Sequence, residues 1–222
     1  MIKYHPEDEL LTQYVEGQLP ASLSAAIAIH VEMCPHCSER VQAKTNAQAD
    51  NVFSSNNKTL DEETFDVDFD VLGMLDEITL DDRLLEPSGP AELSIEVKDK
   101  QFKLPRALNN MEINSFSGIG KISRAKIELG EGQVHTHLLY MAPNGEVPQH
   151  THKGFELTLL LDGTFKDDMG EYQPGDFILL DGKHKHSPIS EQGCLCLTVV
   201  SDALHFTQGL SKLLNPLGRL IY

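Results

Sequence analysis

The sequence predicts an α+β protein of two domains, a small helical unit followed by an all-β domain. Three observations lead to this fold class. Apolar residues at helical spacing dominate the first part of the chain. The segment Pro87-Ser88-Gly89-Pro90 then marks a boundary. After it, apolar residues recur at every second position between turn residues. We therefore place the domains at 1–86 and 91–222, and the 222 residues suffice for a core in each.

The N-terminal helices are bounded by capping and breaking residues. The first helix ends at Gly17, which Pro20 follows. Ser22 can cap a second helix, and a third, short helix is expected to begin near Pro35. From residue 44 to about 60 the chain is polar and rich in Asn and Ser, which predicts a linker inside this domain.

An acidic segment separates this linker from the all-β domain. Between Lys58 and Glu86 there are eleven acidic and two basic residues, so −9 of the net charge of −16 lies here. The apolar spacing favours an amphipathic helix over a strand, with Phe65, Phe69, Leu72, Leu75 and Ile78 on one side. This acidic face is either simply solvated or made for a basic partner. The overall charge argues against direct binding to nucleic acid or to anionic lipid.

The compartment is predicted from what the chain lacks. Neither a signal peptide nor an apolar stretch long enough to span a bilayer is visible, so we expect a cytoplasmic protein that binds no membrane. Thiols stay reduced there, and the four cysteines are therefore expected to be ligands or free thiols.

The all-β domain is predicted from short alternating runs. They cover residues 93–97, 122–129, 134–141, 155–161, 177–180 and 195–200. Turn pairs such as Asn144-Gly145 and Asp162-Gly163 separate them. This spacing is typical of an antiparallel sandwich or a small barrel. The tail from Leu204 to Tyr222 is expected to form a short helix and an extended end.

The first candidate metal site lies in the helical unit. His30 and Cys34 are four residues apart and share one face of a helix, and Cys34 and Cys37 form a Cys-x-x-Cys pair. His5 is the expected fourth ligand, with His36 as the alternative. Two imidazoles and two thiolates select a structural Zn²⁺. A redox pair is the competing interpretation, but it expects a βαβ setting that this sequence does not show.

The second candidate site lies in the all-β domain and offers three imidazoles and one carboxylate, from His150, His152, Glu156 and His186. This donor set predicts a divalent transition metal, Zn²⁺ or Mn, Fe or Ni. We choose His186 over His184 because Ser187 and Pro188 follow it. The pair His135 and His137 is set aside because no acidic residue follows within five positions.

These motifs resemble two known families. The spacing G-x4-HxH-x3-E-x6-G from Gly145 to Gly163 resembles the first cupin motif. Pro174-Gly175-Asp176 and His186 resemble the second, although Lys183 replaces the usual glycine. The N-terminal H…H-x3-C-x2-C pattern resembles the zinc-binding anti-sigma domain. With the acidic connecting segment, essentially the whole chain resembles the ChrR-type anti-sigma factors.

The resemblance implies a fold and a function. The C-terminal domain would be a jelly-roll cupin, and the zinc-stapled helical domain would bind an extracytoplasmic-function sigma factor and keep it from core RNA polymerase. The cupin domain would be needed for release under oxidative stress such as singlet oxygen. His5, His30, Cys34 and Cys37 would hold the zinc, and His150, His152, Glu156 and His186 the cupin metal.

Several alternatives stay open in the sequence. Cys194 and Cys196 resemble a C-x-C pair of the family and are either redox-sensing or inert buried thiols. The free protein could form a homodimer. The competing function is a metal-dependent cupin enzyme, such as a dioxygenase, with an accessory zinc module. In the favoured interpretation the chain is a regulator, and its two domains act as separate units.

Overall fold

The computed structural model describes residues 1–55, 73–75, 79–80, 93–152, 154–201 and 204–207. Three helices come first, α1 (Asp8–Val15), α2 (Ala21–Met33) and α3 (Pro35–Ser55). β-strands follow from residue 94 onward. The predicted α+β fold class, with helices preceding an all-β domain, is confirmed.

The three helices pack through a few buried apolar side chains and through one cluster of ion pairs. Leu11 of α1 is fully buried, and α2 buries Ala26, Ile27 and Ile29. Asp8 in the first turn of α1 accepts hydrogen bonds from Arg40 at 2.7 Å and from Lys44 at 2.8 Å. Those two basic residues lie on α3, so the ion pairs fix α3 along α1. Both basic side chains are only partly exposed.

The predicted linker from residue 44 to about 60 is wrong over its first part, because α3 continues to Ser55. No glycine or proline occurs between Pro35 and Gly73 to end the helix. Alanines with high helix propensity lie within the stretch whose composition predicts a linker, at Ala47 and Ala49.

Three other sequence predictions fall on or near residues outside the described ranges. Residues 56–60 and most of the acidic amphipathic helix lie there, although residues 73–75 are helical. The boundary at 87–90 and the tail from 208 onward also lie there. At the start of the expected tail, Leu204–Phe206 is a strand.

The described part of the all-β domain holds fourteen strands and one 3-10 helix, Arg106–Leu108. The strands are β1 (Ser94–Val97), β2 (Lys100–Lys103), β3 (Ser117–Ile119), β4 (Ile122–Ile127), β5 (His135–Met141), β6 (Gly145–Glu146), β7 (His150–His152), β8 (Phe155–Gly163), β9 (Phe165–Asp167), β10 (Gly170–Tyr172), β11 (Phe177–Asp181), β12 (Ile189–Ser190), β13 (Cys194–Val200) and β14 (Leu204–Phe206).

These strands form two main antiparallel sheets. The larger has the order β11-β8-β13-β5-β4-β3, and the smaller has the order β10-β9-β12-β6. Two pairs complete the domain, β1 with β2 and β14 with β7. Leu160 and Cys196 of the larger sheet share a core cluster with Phe165 and Tyr172 of the smaller one. The two sheets therefore face each other, as in a jelly roll.

The other face of the larger sheet is covered by the helices. One core cluster contains Leu11 and Ile27 from the helices together with Leu159 and Leu197 from the sheet. The helices and the larger sheet therefore share a hydrophobic core within the described residues. None of the helices within the described ranges is long and apolar enough to cross a membrane.

Candidate metal centres

The structure brings the four residues of the first candidate site together at the meeting point of three segments. His5 precedes α1, His30 lies in the last turn of α2, Cys34 separates α2 from α3, and Cys37 lies in the first turn of α3. One donor atom from each lies within 4.8 Å of the other three. Pro35 begins α3 directly after α2 ends, and this sharp junction brings both thiols to the same side.

The spacing of these donors fits zinc. His5 Nδ1 lies 3.5 Å from the Sγ atoms of both Cys34 and Cys37. Zinc bonds of about 2.3 Å to sulfur and about 2.0 Å to nitrogen, at tetrahedral angles, separate the two donors by about 3.5 Å. His30 Nε2 is buried and has no hydrogen-bond partner among the described residues. An ion at the centre of the group would satisfy it.

The protonation of the donors also favours a cation at this place. Burial lowers the pKa of His30 to about 4, so its imidazole is neutral at pH 7. Burial, followed by the neighbouring Cys34, raises the pKa of Cys37 to about 11, and Arg40 opposes this rise only in part. The thiolate form is therefore disfavoured unless a metal ion supplies the missing positive charge.

The alternative ligand His36 lies beside this group and outside it. Its ring centroid is 5.6 Å from that of His5, and its side chain is exposed on the first turn of α3. The residues that gather are therefore His5, His30, Cys34 and Cys37.

The second candidate group lies between the two sheets. His150 and His152 lie on β7, Glu156 on β8, and His186 shortly before β12. One donor atom of each lies within 4.8 Å of the others, and all four residues are buried. Backbone hydrogen bonds in both directions between His150 and His186 bring the distant fourth residue to the group.

The donor distances in this group differ from those of the first group. Glu156 Oε2 lies 3.1 Å from His152 Nε2 and 3.0 Å from His186 Nε2. His150 Nε2 lies 2.9 Å from His186 Nε2. Two bonds of about 2.1 Å at a right angle separate their donors by about 3.0 Å. The group therefore fits a divalent metal with near-octahedral angles, a geometry that leaves coordination positions free of protein ligands.

Charge in the second group is arranged around Glu156. Burial alone would raise the pKa of Glu156, but hydrogen bonds from His152 and His186 outweigh it and lower that pKa. Burial would lower the pKa of His186, yet Asp167 and Glu156 raise it to about 9. Burial lowers the pKa of His150 to about 4. Without a metal, the ionised Glu156 carboxylate is therefore paired with a protonated His186 at pH 7. A divalent cation would displace that proton and take its place beside the carboxylate.

Two outer contacts orient these histidines. The carbonyl oxygen of Pro148 lies 2.9 Å from Nδ1 of His150, which leaves Nε2 for a metal. Asp167 Oδ2 lies 3.5 Å from Nδ1 of His186, and the buried Asp167 carboxylate also accepts a hydrogen bond from the Tyr172 hydroxyl. Sequence reasoning missed Asp167. The residue precedes an ordinary turn, and no motif marks it.

The competing histidines of the all-β domain lie elsewhere. His184 is half exposed, and its Nδ1 lies 2.7 Å from Asp181 Oδ1. His135 and His137 lie on β5 and belong to neither group. Cys194 and Cys196 point to the same side of β13, are fully buried, and have their Sγ atoms 4.0 Å apart. Their mutual hydrogen bond lowers the pKa of Cys194 and raises that of Cys196.

Comparisons with known proteins agree with both halves of this fold. Residues 121–203 match the family described as the ChrR Cupin-like domain, and residues 8–38 match a zinc-finger family. The anti-sigma-E factor ChrR of Cereibacter sphaeroides is 30% identical over 227 aligned positions, and the match covers 99% of this chain and 99% of that protein. The crystal structure of Rhodobacter sphaeroides SigE in complex with the anti-sigma ChrR has a similar chain. That chain is 27% identical, with a TM-score of 0.61, and the match covers 90% of this chain and 99% of that one.

Proposed function

This chain belongs to the ChrR-type zinc-binding anti-sigma factors, and from that premise we propose that it sequesters an extracytoplasmic-function sigma factor in the cytoplasm. The observation that carries the proposal is a full-length match to an anti-sigma factor combined with a four-donor group, three of whose residues lie within the zinc-finger match. The chain is a regulatory binding protein rather than an enzyme, because the relative of the same length is an anti-sigma factor.

We assign a structural zinc to His5, His30, Cys34 and Cys37 in a helical domain spanning residues 1–86. The donor spacing and the buried, unpartnered His30 Nε2 support this assignment. Zinc would join the segment before α1 to the α2–α3 junction. The helices bury few large side chains of their own, so such a link would contribute much of their local stability.

The sigma factor would bind on the helical domain through charge and through exposed apolar side chains. Val52 and Phe53 near the end of α3 are large, apolar and exposed, Phe53 by 76% of its surface. The net charge of −16 complements a partner that binds DNA, because DNA-binding surfaces are basic. In such a complex, this chain would cover the basic surface of the sigma factor and would itself make no contact with nucleic acid.

The cupin domain, residues 91–222, would hold a second divalent metal at His150, His152, Glu156 and His186 and would be required for release under oxidative stress such as singlet oxygen. The bound metal would polarise a small oxygen-containing ligand. The connection to the helical domain supports this role. Strand β8 carries Glu156, and four residues further on Leu160 hydrogen-bonds to the turn before β11, against which the helices pack.

The test is the identity of the bound partner. The tagged full chain is purified from cell lysate and its bound proteins are identified by mass spectrometry, with a Phe53→Ser chain treated in parallel. We expect one small sigma factor in near-equal amount with the wild-type chain and a reduced amount with the variant. Equal capture by both chains would show that Phe53 does not contribute to the interface. Capture of no sigma factor would contradict the proposed function.

A further inference from the structure

A turn of the cupin domain contacts the histidine of α2 directly. The carbonyl oxygen of Gly175, in the turn between β10 and β11, lies 2.7 Å from Nδ1 of His30. This bond fixes the tautomer of the buried ring. Nδ1 carries the hydrogen and donates it to the carbonyl oxygen, so the lone pair of Nε2 is left to bind a metal ion. Phe177 of β11 packs edge-on against the same ring, with centroids 5.8 Å apart. The cupin domain therefore sets the orientation of His30.

The next residue of the turn, Asp176, holds the chain segment that leads to His5. One carboxylate oxygen accepts backbone N–H bonds from Lys3 at 2.7 Å and from Tyr4 at 3.1 Å. The other oxygen accepts the N–H of Gln173 at 2.9 Å. Phe177 N–H donates to the carbonyl oxygen of Tyr4 at 3.0 Å. Residues 3 and 4 are thus fixed on the turn, and His5 follows directly.

Burying the Asp176 carboxylate costs free energy, and its role in holding the segment before His5 explains why it is buried. The residue is fully buried. A buried carboxylate is costly unless its oxygens are satisfied by hydrogen bonds or by a cation. Here the carboxylate accepts three backbone N–H groups, two of them from the segment before His5 and one from its own turn.

Gly175 and α2 show the same close fit. Gly175 has φ of +93°, and a Cβ atom there would lie 2.4 Å from Cδ1 of Ile2. Cupin residues also hold both ends of α2. The Glu131 carboxylate accepts the N–H of Ser22 at 3.1 Å, and Glu32 accepts the N–H of Arg106 at 3.1 Å. The cupin domain therefore contacts the helix that carries His30 near both of its ends and fixes its direction.

We propose that Gly175 and Asp176 of the cupin domain are positioning residues of the N-terminal zinc site, so that the cupin domain sets how tightly the zinc is held. The inference rests on the zinc assignment proposed above. Two of the four ligands, His5 and His30, owe their placement to this one turn, whereas Cys34 and Cys37 are placed by the helices. Outer partners of metal ligands typically contribute about 10- to 100-fold to metal affinity.

The test uses the full chain freed of metal and titrated with Co²⁺, followed by displacement with Zn²⁺. A thiolate-to-cobalt absorption band reports only the N-terminal site, because the cupin group has no thiol among its four donors. We expect Asp176→Ala to weaken cobalt and zinc binding at this band by about 10- to 100-fold. Asp176→Asn should weaken it less, because an amide oxygen can still accept from Lys3 and Tyr4.

Two variants serve as controls. Asp168→Asn changes an exposed carboxylate in the β9–β10 turn and should leave the band and the affinity unchanged. Gly163→Ala strains the cupin sheet away from the turn, so it should lower the unfolding temperature without changing zinc affinity. A circular dichroism spectrum and a cooperative unfolding transition of each variant show that the sheet is folded.

The outcomes separate the two proposals. Wild-type affinity in both Asp176 variants, or an equal loss in Gly163→Ala, would overturn the positioning role while the zinc assignment stands. A wild-type chain that gives no thiolate band with Co²⁺ would overturn the zinc assignment itself, and the positioning role with it. Graded weakening confined to the Asp176 variants supports the inference.

Discussion

At the scale of single residues, the zinc assignment is supported most strongly by the two thiols of the group. Cys34 and Cys37 are buried, and His5 Nδ1 is equally distant from both sulfur atoms. The raised pKa of Cys37 means that the unliganded Cys37 is a neutral thiol at pH 7. Metal binding must therefore release the Cys37 proton. Without the two thiols, the site cannot bind the ion that would hold the helices together.

The double variant Cys34→Ser, Cys37→Ser is expected to lose one zinc per chain and to unfold at a lower temperature than the wild type. Structural zinc is coupled to folding, so the helical unit should lose several kcal/mol of stability. Elemental analysis and a thermal unfolding curve measure both effects. Cys194→Ser, Cys196→Ser is the matched control, because it removes two buried thiols of the cupin domain. Undiminished zinc in the first variant would refute the ligand set.

Phe53 tests the docking surface at the same scale. Its side chain is 76% exposed, so Phe53→Ser should leave folding and metal content unchanged. If Phe53 inserts into the sigma factor, the variant should bind at least about tenfold more weakly, as anchoring aromatic residues do. Isothermal titration of the purified pair measures the change. Ile119→Ser removes a similarly exposed apolar residue from β3 and should bind normally. A fall in affinity for Ile119→Ser alone would move the interface to the cupin domain.

At the scale of elements, Gly163 at the end of β8 shows how tightly the cupin sheet is packed. Its φ is +78°, and a Cβ atom there would lie 2.1 Å from the carbonyl oxygen of Gly193 and 2.8 Å from Cα of Cys194. Both contacts are with backbone, which cannot move aside as a flexible side chain would. Glycine is therefore required on two grounds, conformation and space.

Gly163→Ala is expected to lower the free energy of unfolding by about 2 kcal/mol or more. Gly130→Ala separates the two causes, because Gly130 has φ of +70° and open space around it. That variant should cost only about 1 kcal/mol, the conformational part. Urea unfolding of both chains measures the difference. Equal losses would show that the close contact at Gly163 has no energetic weight.

Helix α3 shows where sequence reasoning about elements works and where it fails. The start at Pro35 was predictable, because proline suits the first turn of a helix and follows the metal-binding junction. The extension to Ser55 was not, because Asn and Ser in residues 44–55 resemble loop composition. The ion pairs of Lys44 and Arg40 with Asp8 stabilise this helix from outside, and a local pattern cannot reveal them.

The two metal groups show the same division. Cys34 and Cys37 gather with His5 and His30 as predicted, and the Cys-x-x-Cys pair sets the directions of the two thiols locally. The turn at Gly175 and Asp176, which orients His30 and holds the segment before His5, could not be predicted from helical spacing. The choice of His186 over His184 also agrees with the four residues that gather in the structure. Asp167 behind His186 could not be predicted, because it reaches the ring only through the packing of one sheet on the other.

At the scale of the whole molecule, a shared hydrophobic core joins the helices and the cupin domain, which the sequence pattern divides into two domains. Gly175 and His30 are 145 residues apart and hydrogen-bonded at 2.7 Å. In the sequence, Pro174-Gly175-Asp176 marks a turn and resembles part of the second cupin motif, but no periodicity links it to a helix. In the proposed function, this contact would connect the helices that hold the sigma factor to the cupin domain that responds to the signal.

The charge of the whole chain leads to a prediction about kinetics. With a net charge of −16, of which −9 lies between residues 58 and 86, association with a basic sigma factor should be electrostatically steered. Raising salt from about 0.05 M to about 0.5 M should lower the association rate constant by at least about tenfold, because screening shortens the reach of the charges. Dissociation should change much less. Stopped-flow measurements test this, and a salt-independent association rate would contradict it.

Transcription reconstituted from purified components tests the central claim most directly. Core RNA polymerase, the captured sigma factor and a promoter that it recognises are mixed with increasing amounts of the full chain. We predict that transcript falls in proportion to the added chain and disappears near one chain per sigma factor. Transcription from the housekeeping sigma factor should stay constant in the same titration. Undiminished transcript at an excess of the chain, or an equal fall with the housekeeping sigma factor, would contradict sequestration of a specific sigma factor.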